Sequence, residues 1–391
     1  MPEENQPDKR KARFVLGGMT LLFLLIGVVI FLYWHEVWQF EESTDDAYVD
    51  GNQIAVTPRV AGVVQTLYAD ETDIVQEGTL LVSLDPTDYR LAFEETQHLL
   101  AEEVRQVAAL FDLVEQLKAE KRMREIEKIK TDQDYRHRKE LLSDGAVTME
   151  EYEHAEATYL STLQMLKAVD YRLAAAQAEV AHTTIETHPR VDIAKDRLCQ
   201  AFLNLQRCHI LAPATGMLAQ RQTQVGESVK PGAPLMKLIP LDQMWVNANF
   251  KETQLEHVRL GQPVTMTSDL YGSDVVFHGK VAGLWPGTGS VFSVLPPQNA
   301  TGNWIKIVQR LPVRIRLEPE ELSQYPLRLG LSINVDIDTH DLRGERLPSP
   351  TSPSPLFQTS IYNEPLKGIE ELIAQIIQEN LPTHNDHSRH E

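Results

Sequence analysis

Hydrophobic and polar positions alternate with period two in two short segments about 150 residues apart, and the two segments match. The first contains Gly62, Val75, Gly78, Leu81, Leu84 and Pro86; the second contains Gly216, Val229, Gly232, Leu235, Leu238 and Pro240. The same residue types fall at the same internal spacing, which implies two copies of one small β-unit. One copy is too small to bury a core, so the copies are expected to pack on each other. The chain between them must then leave a compact β-body and return to it.

That excursion, residues 87–206, has a different period. It is nearly free of Gly and Pro and rich in good helix formers. Leu100, Val104, Val107, Phe111 and Val114 step by four and three, as do Tyr152, Ala155, Tyr159, Thr162, Leu166, Val169, Leu173, Ala176 and Val180. Such steps average 3.5, the coiled-coil period, and the stripe is first of all a packing seam. The break near its middle carries Gly145, suited to end a helix, and Thr148 followed by Glu151, a capping box that starts another. The spacing therefore predicts an antiparallel helical hairpin with arms of roughly 55 residues, on the order of 80 Å long. Pro189 should kink the second arm and push His188 out of the helical region.

Downstream, short alternating runs at 245–250, 275–281, 313–317 and 333–337 read as strands of an antiparallel β-barrel spanning 242–340. A short helical stretch is expected at 251–258, and a loop rich in Gly, Pro and Asn at 285–304. A Pro/Ser linker follows at 341–365. Residues 366–391 then form an amphipathic helix, with Leu366, Ile369, Leu372, Ile373, Ile376 and Ile377 on one face, and a disordered tail. The helix either docks on the protein or meets a partner or membrane surface. In the tail, His384, His387 and His390 form a solvated end rather than a metal site.

Residues 14–33 are uncharged and apolar, long enough to cross a bilayer. Lys9, Arg10, Lys11 and Arg13 precede them, and Glu36, Glu41, Glu42, Asp45 and Asp46 follow. The charge bias predicts a single transmembrane helix at 14–34, with residues 1–13 cytoplasmic and the bulk of the chain on the other side of the membrane. A cleaved signal peptide is the alternative, but Tyr33, Trp34 and Trp38 look like an aromatic belt rather than a cleavage site. Residues 35–52 read as a linker and membrane-proximal segment, followed by the β-halves at 53–86 and 207–241.

The chain has 391 residues and a formal net charge of −19, which argues against nucleic acid as a partner. Its two cysteines, Cys199 and Cys208, would lie roughly 13 Å apart on a continuous helix, too far for a disulfide. No spacing suggests a metal or a catalytic site.

In this order, the parts resemble the HlyD-like membrane fusion, or periplasmic adaptor, family of Gram-negative efflux pumps, in particular its multidrug-efflux branch. The stretches that carry the resemblance are 44–52, 249–254 and above all 287–315, with Asn299, Asn303 and Trp304 at its centre. The fold it implies is multidomain α+β: an N-terminal transmembrane helix, a coiled-coil hairpin inserted in a split lipoyl-like β-domain, and an antiparallel β-barrel. The partners it implies are an inner-membrane major facilitator transporter driven by proton exchange, a TolC-like outer-membrane channel and further copies of the chain in a ring. No cofactor and no enzymatic activity are implied.

In many members the hairpin tip carries Arg, Leu four residues on and Ser seven after that. Here Leu141 and Thr148 match the last two, while His137 stands at the Arg position between Arg136 and Arg138. The resemblance thus implies a channel contact at Arg138, Leu141, Gly145 and Thr148, and a transporter or adaptor contact at Asn299, Asn303 and Trp304. A type I secretion adaptor serving an ABC transporter shares the architecture but not the 287–315 motif. A lipoyl or biotinyl carrier would need a Lys at the turn joining the halves, where Asp85 and Pro86 lead into the hairpin instead.

Overall fold

A computed structural model of the protein describes residues 9–36, 40–289, 291–292, 308–348 and 354–382. The matched segments interleave. The first copy supplies β2 (Ile54–Val56), β3 (Gly62–Leu67), β4 (Ile74–Val75) and β5 (Leu80–Leu84). The second supplies β6 (His209–Leu211), β7 (Gly216–Ala219), β8 (Ser228–Val229) and β9 (Met236–Ile239). One sheet has the order β2-β9-β7-β4 and the other β6-β5-β3-β8. Exchanging the copies maps one order onto the other, so the body has approximate twofold symmetry. Its core takes Val64, Val75, Leu81 and Leu84 from one copy and Ile210, Leu218, Leu235 and Leu238 from the other. Strands of two to six residues could not close such a core within one copy.

The second β-body is a closed barrel in the order β1-β10-β13-β12-β11-β14. Five strands are β10 (Met244–Lys251), β11 (Pro263–Ser268), β12 (Gly272–Leu284), β13 (Arg310–Leu317) and β14 (Ser332–Asp338), with a short helix, α5 (Pro319–Gln324), between the last two. The sixth, β1 (Glu41–Gly51), comes from the 35–52 segment expected to be a linker, most of which is instead a full strand of the barrel. Five acidic residues mask its alternation, and a bulge between Thr44 and Ala47 breaks the register. Yet Thr44, Ala47 and Val49 point inward and are buried. β1 pairs with β10 on one side and β14 on the other, so it removes both free edges. The helical stretch expected at 251–258 is only a 3₁₀ turn, Glu252–Gln254.

Between the two β-halves, α2 (Thr87–Ser143) rises, and α3 (Met149–Glu179) and α4 (Pro189–Gln206) return. At 1.5 Å per residue α2 is about 85 Å long. The second arm does not merely kink at Pro189: it stops and restarts. His188 is extended at φ −71°, ψ 136°, and its ring accepts from the Arg190 amide at 3.3 Å. Its other ring nitrogen reaches the Glu179 carbonyl at 3.2 Å, so one buried imidazole bridges the gap. Threonines close the gap as a local turn, with the Thr184 amide donating to Thr187 Oγ1 at 2.9 Å.

The amphipathic C-terminal segment forms α6 (Ile369–Asn380), docked at the hairpin's base. Ile369, Ile376 and Ile377 share one cluster with Leu100, Val104 and Val107 of α2 and Val191, Ala194 and Leu198 of α4. The rod is thus a two-helix coil towards its tip and a three-helix bundle at its base. The His-rich tail lies outside the described residues. The N-terminal apolar run is helical as α1 (Lys9–Glu36), and its large side chains from Leu16 to Phe31 are exposed. Among the described residues, no helix is long and apolar enough to cross a membrane.

Candidate functional site: the hairpin tip and its base

At the tip, α2 ends on Asp144 and the chain reverses through Gly145 at φ +68°. A side chain there would meet no atom within 4 Å, so glycine is favoured by the dihedral and not by space. The Ala146 amide donates to the Leu141 carbonyl at 3.0 Å and Gly145 to that of Leu142 at 3.1 Å, closing the helix end. Thr148 then caps α3: its Oγ1 accepts from the Glu151 amide at 3.2 Å, and its own amide donates to Glu151 Oε2 at 2.8 Å. Donation from the Thr148 amide, and next from its hydroxyl, holds the Glu151 carboxyl below its ordinary value of 4.5. A depressed folded value means the carboxylate stabilises the tip at neutral pH and that this support fades as pH falls below about 4.5. Thr148→Ala should weaken the start of α3 by about 1 kcal/mol. Faster amide exchange at Glu151 and Tyr152, with exchange at Leu173 unchanged, is the expected reading.

Below the turn, aromatic side chains clasp the arms. Tyr135 of α2 stacks on Tyr159 of α3 with centroids 5.5 Å apart and planes 6° apart. Its hydroxyl lies 3.3 Å from that of Tyr152, and this bond pushes the Tyr152 phenol up to about 12. Tyr135 was not singled out by the heptad reading. Its nearly symmetric placement with Tyr159, about ten residues to either side of the turn, is the signal that could have found it.

The named tip residues are not equivalent. Arg138 is half-buried and committed within the tip, to Asp134 at 3.1 Å and towards the Glu151 carbonyl at 3.5 Å. His137 is exposed. Leu141 is 40% exposed and Met149, unnoticed in the sequence, is 56% exposed. Leu141 and Val147 share a shallow depression with Lys130, Arg136 and His137. Asp134, Glu140 and Glu151 line it as well, so the tip offers apolar side chains rimmed by charges of both signs.

At the base, Gly62 and Gly216 open β3 and β7, while Gly78 and Gly232 turn at φ +83° and +82°. Asp85 leads straight into α2, its carboxylate accepting from the Thr87 amide at 3.0 Å. A cleft of about 800 Å³ lies beside the base, between β2, α4 and residues 361–367. Both cysteines are free, with Cys208 buried. In the barrel loop, Trp285 meets Phe292 edge-on at 6.1 Å. Asn299, Asn303 and Trp304 lie outside the described residues.

A family model described as the EmrA alpha-helical hairpin domain matches residues 87–208. The multidrug export protein EmrA of Escherichia coli (strain K12) is 44% identical over 353 residues, covering 90% of each chain. That of Haemophilus influenzae is 42% identical, covering 96% of each. The fatty acid resistance protein FarA of Neisseria gonorrhoeae is 40% identical, covering 95% of this chain and 94% of that one. Among solved structures, the periplasmic adaptor protein EmrA aligns with a TM-score of 0.40 at 21% identity, over 77% of this chain and 99% of that one. Identity above two-fifths over nine-tenths of the chain, with the hairpin model falling on the helical excursion, means that this chain belongs to the EmrA family of membrane fusion proteins.

Proposed function

We propose that the chain is the periplasmic adaptor of a tripartite multidrug efflux pump. It is held in the inner membrane by residues 14–34, with its N-terminus in the cytoplasm. It joins a major facilitator drug/proton antiporter to a TolC-like outer-membrane channel, and several copies form a ring around the exit path. Its task is to bridge, and no bond is made or broken.

The observation that carries this reading is the closed excursion. Both β-copies form one body, from which a rod about 85 Å long departs and to which it returns. Such a rod places Leu141, Thr148 and Met149 far from the barrel that follows the N-terminal helix. Exposed apolar side chains at the far end of a long polar rod are the expected form of a docking tip. The barrel, with Asn299, Asn303 and Trp304, would face the transporter or neighbouring copies.

A photo-reactive residue at Leu141 should form an adduct with the outer channel in cells, whereas one at Tyr171, 77% exposed lower on the rod, should not. Adducts of equal yield from both positions would contradict contact through the tip.

A further inference from the structure

The chain does not end where its barrel closes. Residues 341–348 stay on the barrel: the Leu260 amide donates to the Glu345 carbonyl at 2.9 Å, and Arg346 reaches the Glu256 carbonyl at 3.1 Å. Residues 354–367 then lie against the paired β-unit. There Glu77 Oε1 accepts from the Ser360 amide at 2.6 Å, the Ser360 hydroxyl at 2.8 Å and Thr359 Oγ1 at 3.1 Å. Arg59 stacks over Tyr362 at 5.1 Å. Finally α6 lays its isoleucines between α2 and α4, and Asn380 accepts a hydrogen bond from Arg105 of α2. One covalent segment therefore touches the barrel, the paired β-unit and the rod.

Its last contact falls where the rod is weakest. The second arm is interrupted over 180–188, so only α2 crosses that level as continuous helix. A two-helix coil with one arm broken bends easily at the break, because a single helix carries the load. α6 supplies a third helix just below it, and Ile185, within the break, packs on the same cluster. A three-helix base shares the bending load, and its close packing resists continuous deformation.

We infer that residues 354–382 are an intramolecular strap that fixes the direction of the helical rod on the paired β-unit. Glu77 and Arg59 hold the middle of the strap, and α6 locks its end. Releasing α6 turns the interruption at 180–188 into a hinge. This inference does not depend on which transporter or channel the rod serves.

Cys199 reports on the lock. It is half-buried against the cluster that α6 covers, while Cys208 is fully buried in the paired β-unit. In the full-length protein with both native cysteines, Ile376→Asp with Ile377→Asp should raise maleimide labelling of Cys199 about tenfold or more, as labelling follows the open population. Cys208 should stay protected, showing that the β-unit remains folded.

The direction of the rod is read separately, from spin labels at Gln116→Cys and Lys230→Cys in a Cys199→Ser, Cys208→Ser background. A single narrow distance distribution is expected for the intact strap and a several-fold broader one for the undocked variant. Undocking reported by Cys199 with an unchanged distribution would overturn the inference. Where the isoleucine variant also exposes Cys208, Glu77→Ala with Tyr362→Ala carries the test, since both residues are exposed and lie outside the core. Broadening there supports the strap, and an unchanged width overturns it.

Discussion

Gly216→Ala is expected to be among the most damaging small substitutions in the chain, and Gly62→Ala, at the matched position of the other copy, far milder. A Cβ on Gly216 would sit 2.5 Å from the Ile239 carbonyl oxygen and 2.8 Å from its carbon, both backbone atoms of the neighbouring β9. Neither can move without separating β7 from β9 in the centre of one sheet. A Cβ on Gly62 would meet Cβ and Cδ1 of Leu84 at 3.3 Å, which a shift of a few tenths of an ångström relieves. Overpacking against fixed backbone should cost about 3 kcal/mol, and against a movable leucine about 1 kcal/mol. Chemical denaturation of the two variants, followed by a probe in the paired β-unit, checks this. Equal midpoints would mean that β7 and β9 are not held as close as described.

The repeat's other two glycines show what a sequence can reveal. Gly78 and Gly232 recur because each turn needs a positive φ, so the spacing of the repeat is fixed by backbone geometry. Such constraints leave a mark that does not depend on a partner. The tip is legible for the same reason: Thr148 and Glu151 satisfy each other three residues apart. The unequal costs at Gly62 and Gly216 are not legible, because they depend on what lies across the sheet.

Long-range placement accounts for the other differences. β1 escaped notice because its inward positions are few and small, and its outward ones are acidic. It becomes a strand by tertiary pairing, which overrides weak local preference. The isoleucines of α6 announce an apolar face, but nothing local says that Leu100 and Leu198 receive it. Pro189 signals a disruption. Whether that is a kink or a break is decided by the threonine turn and by the bridging ring of His188. Of the tip residues, exposure separates Leu141, which is open, from Arg138, which is engaged inside the tip.

The second large effect is expected from shortening the rod. Val114 and Leu117 of α2 pack against Leu173 of α3, so the arms face each other at this level. Replacing residues 118–172 by a short turn would remove about 40 Å of reach at 1.5 Å per residue. The three-helix base, the paired β-unit and the barrel lose none of their core residues, because all of these lie outside the deleted span. The variant should fold, reach the membrane and retain its strap. It should nevertheless fail completely as a bridge, because a gap of tens of ångströms cannot be closed by side chains.

The decisive measurement is drug resistance in cells that depend on this adaptor and its transporter, comparing the full chain with the 118–172 replacement at matched membrane levels. The account predicts that resistance falls to that of cells without the adaptor. Resistance equal to that of the full chain would contradict a rod that spans the distance between the membranes.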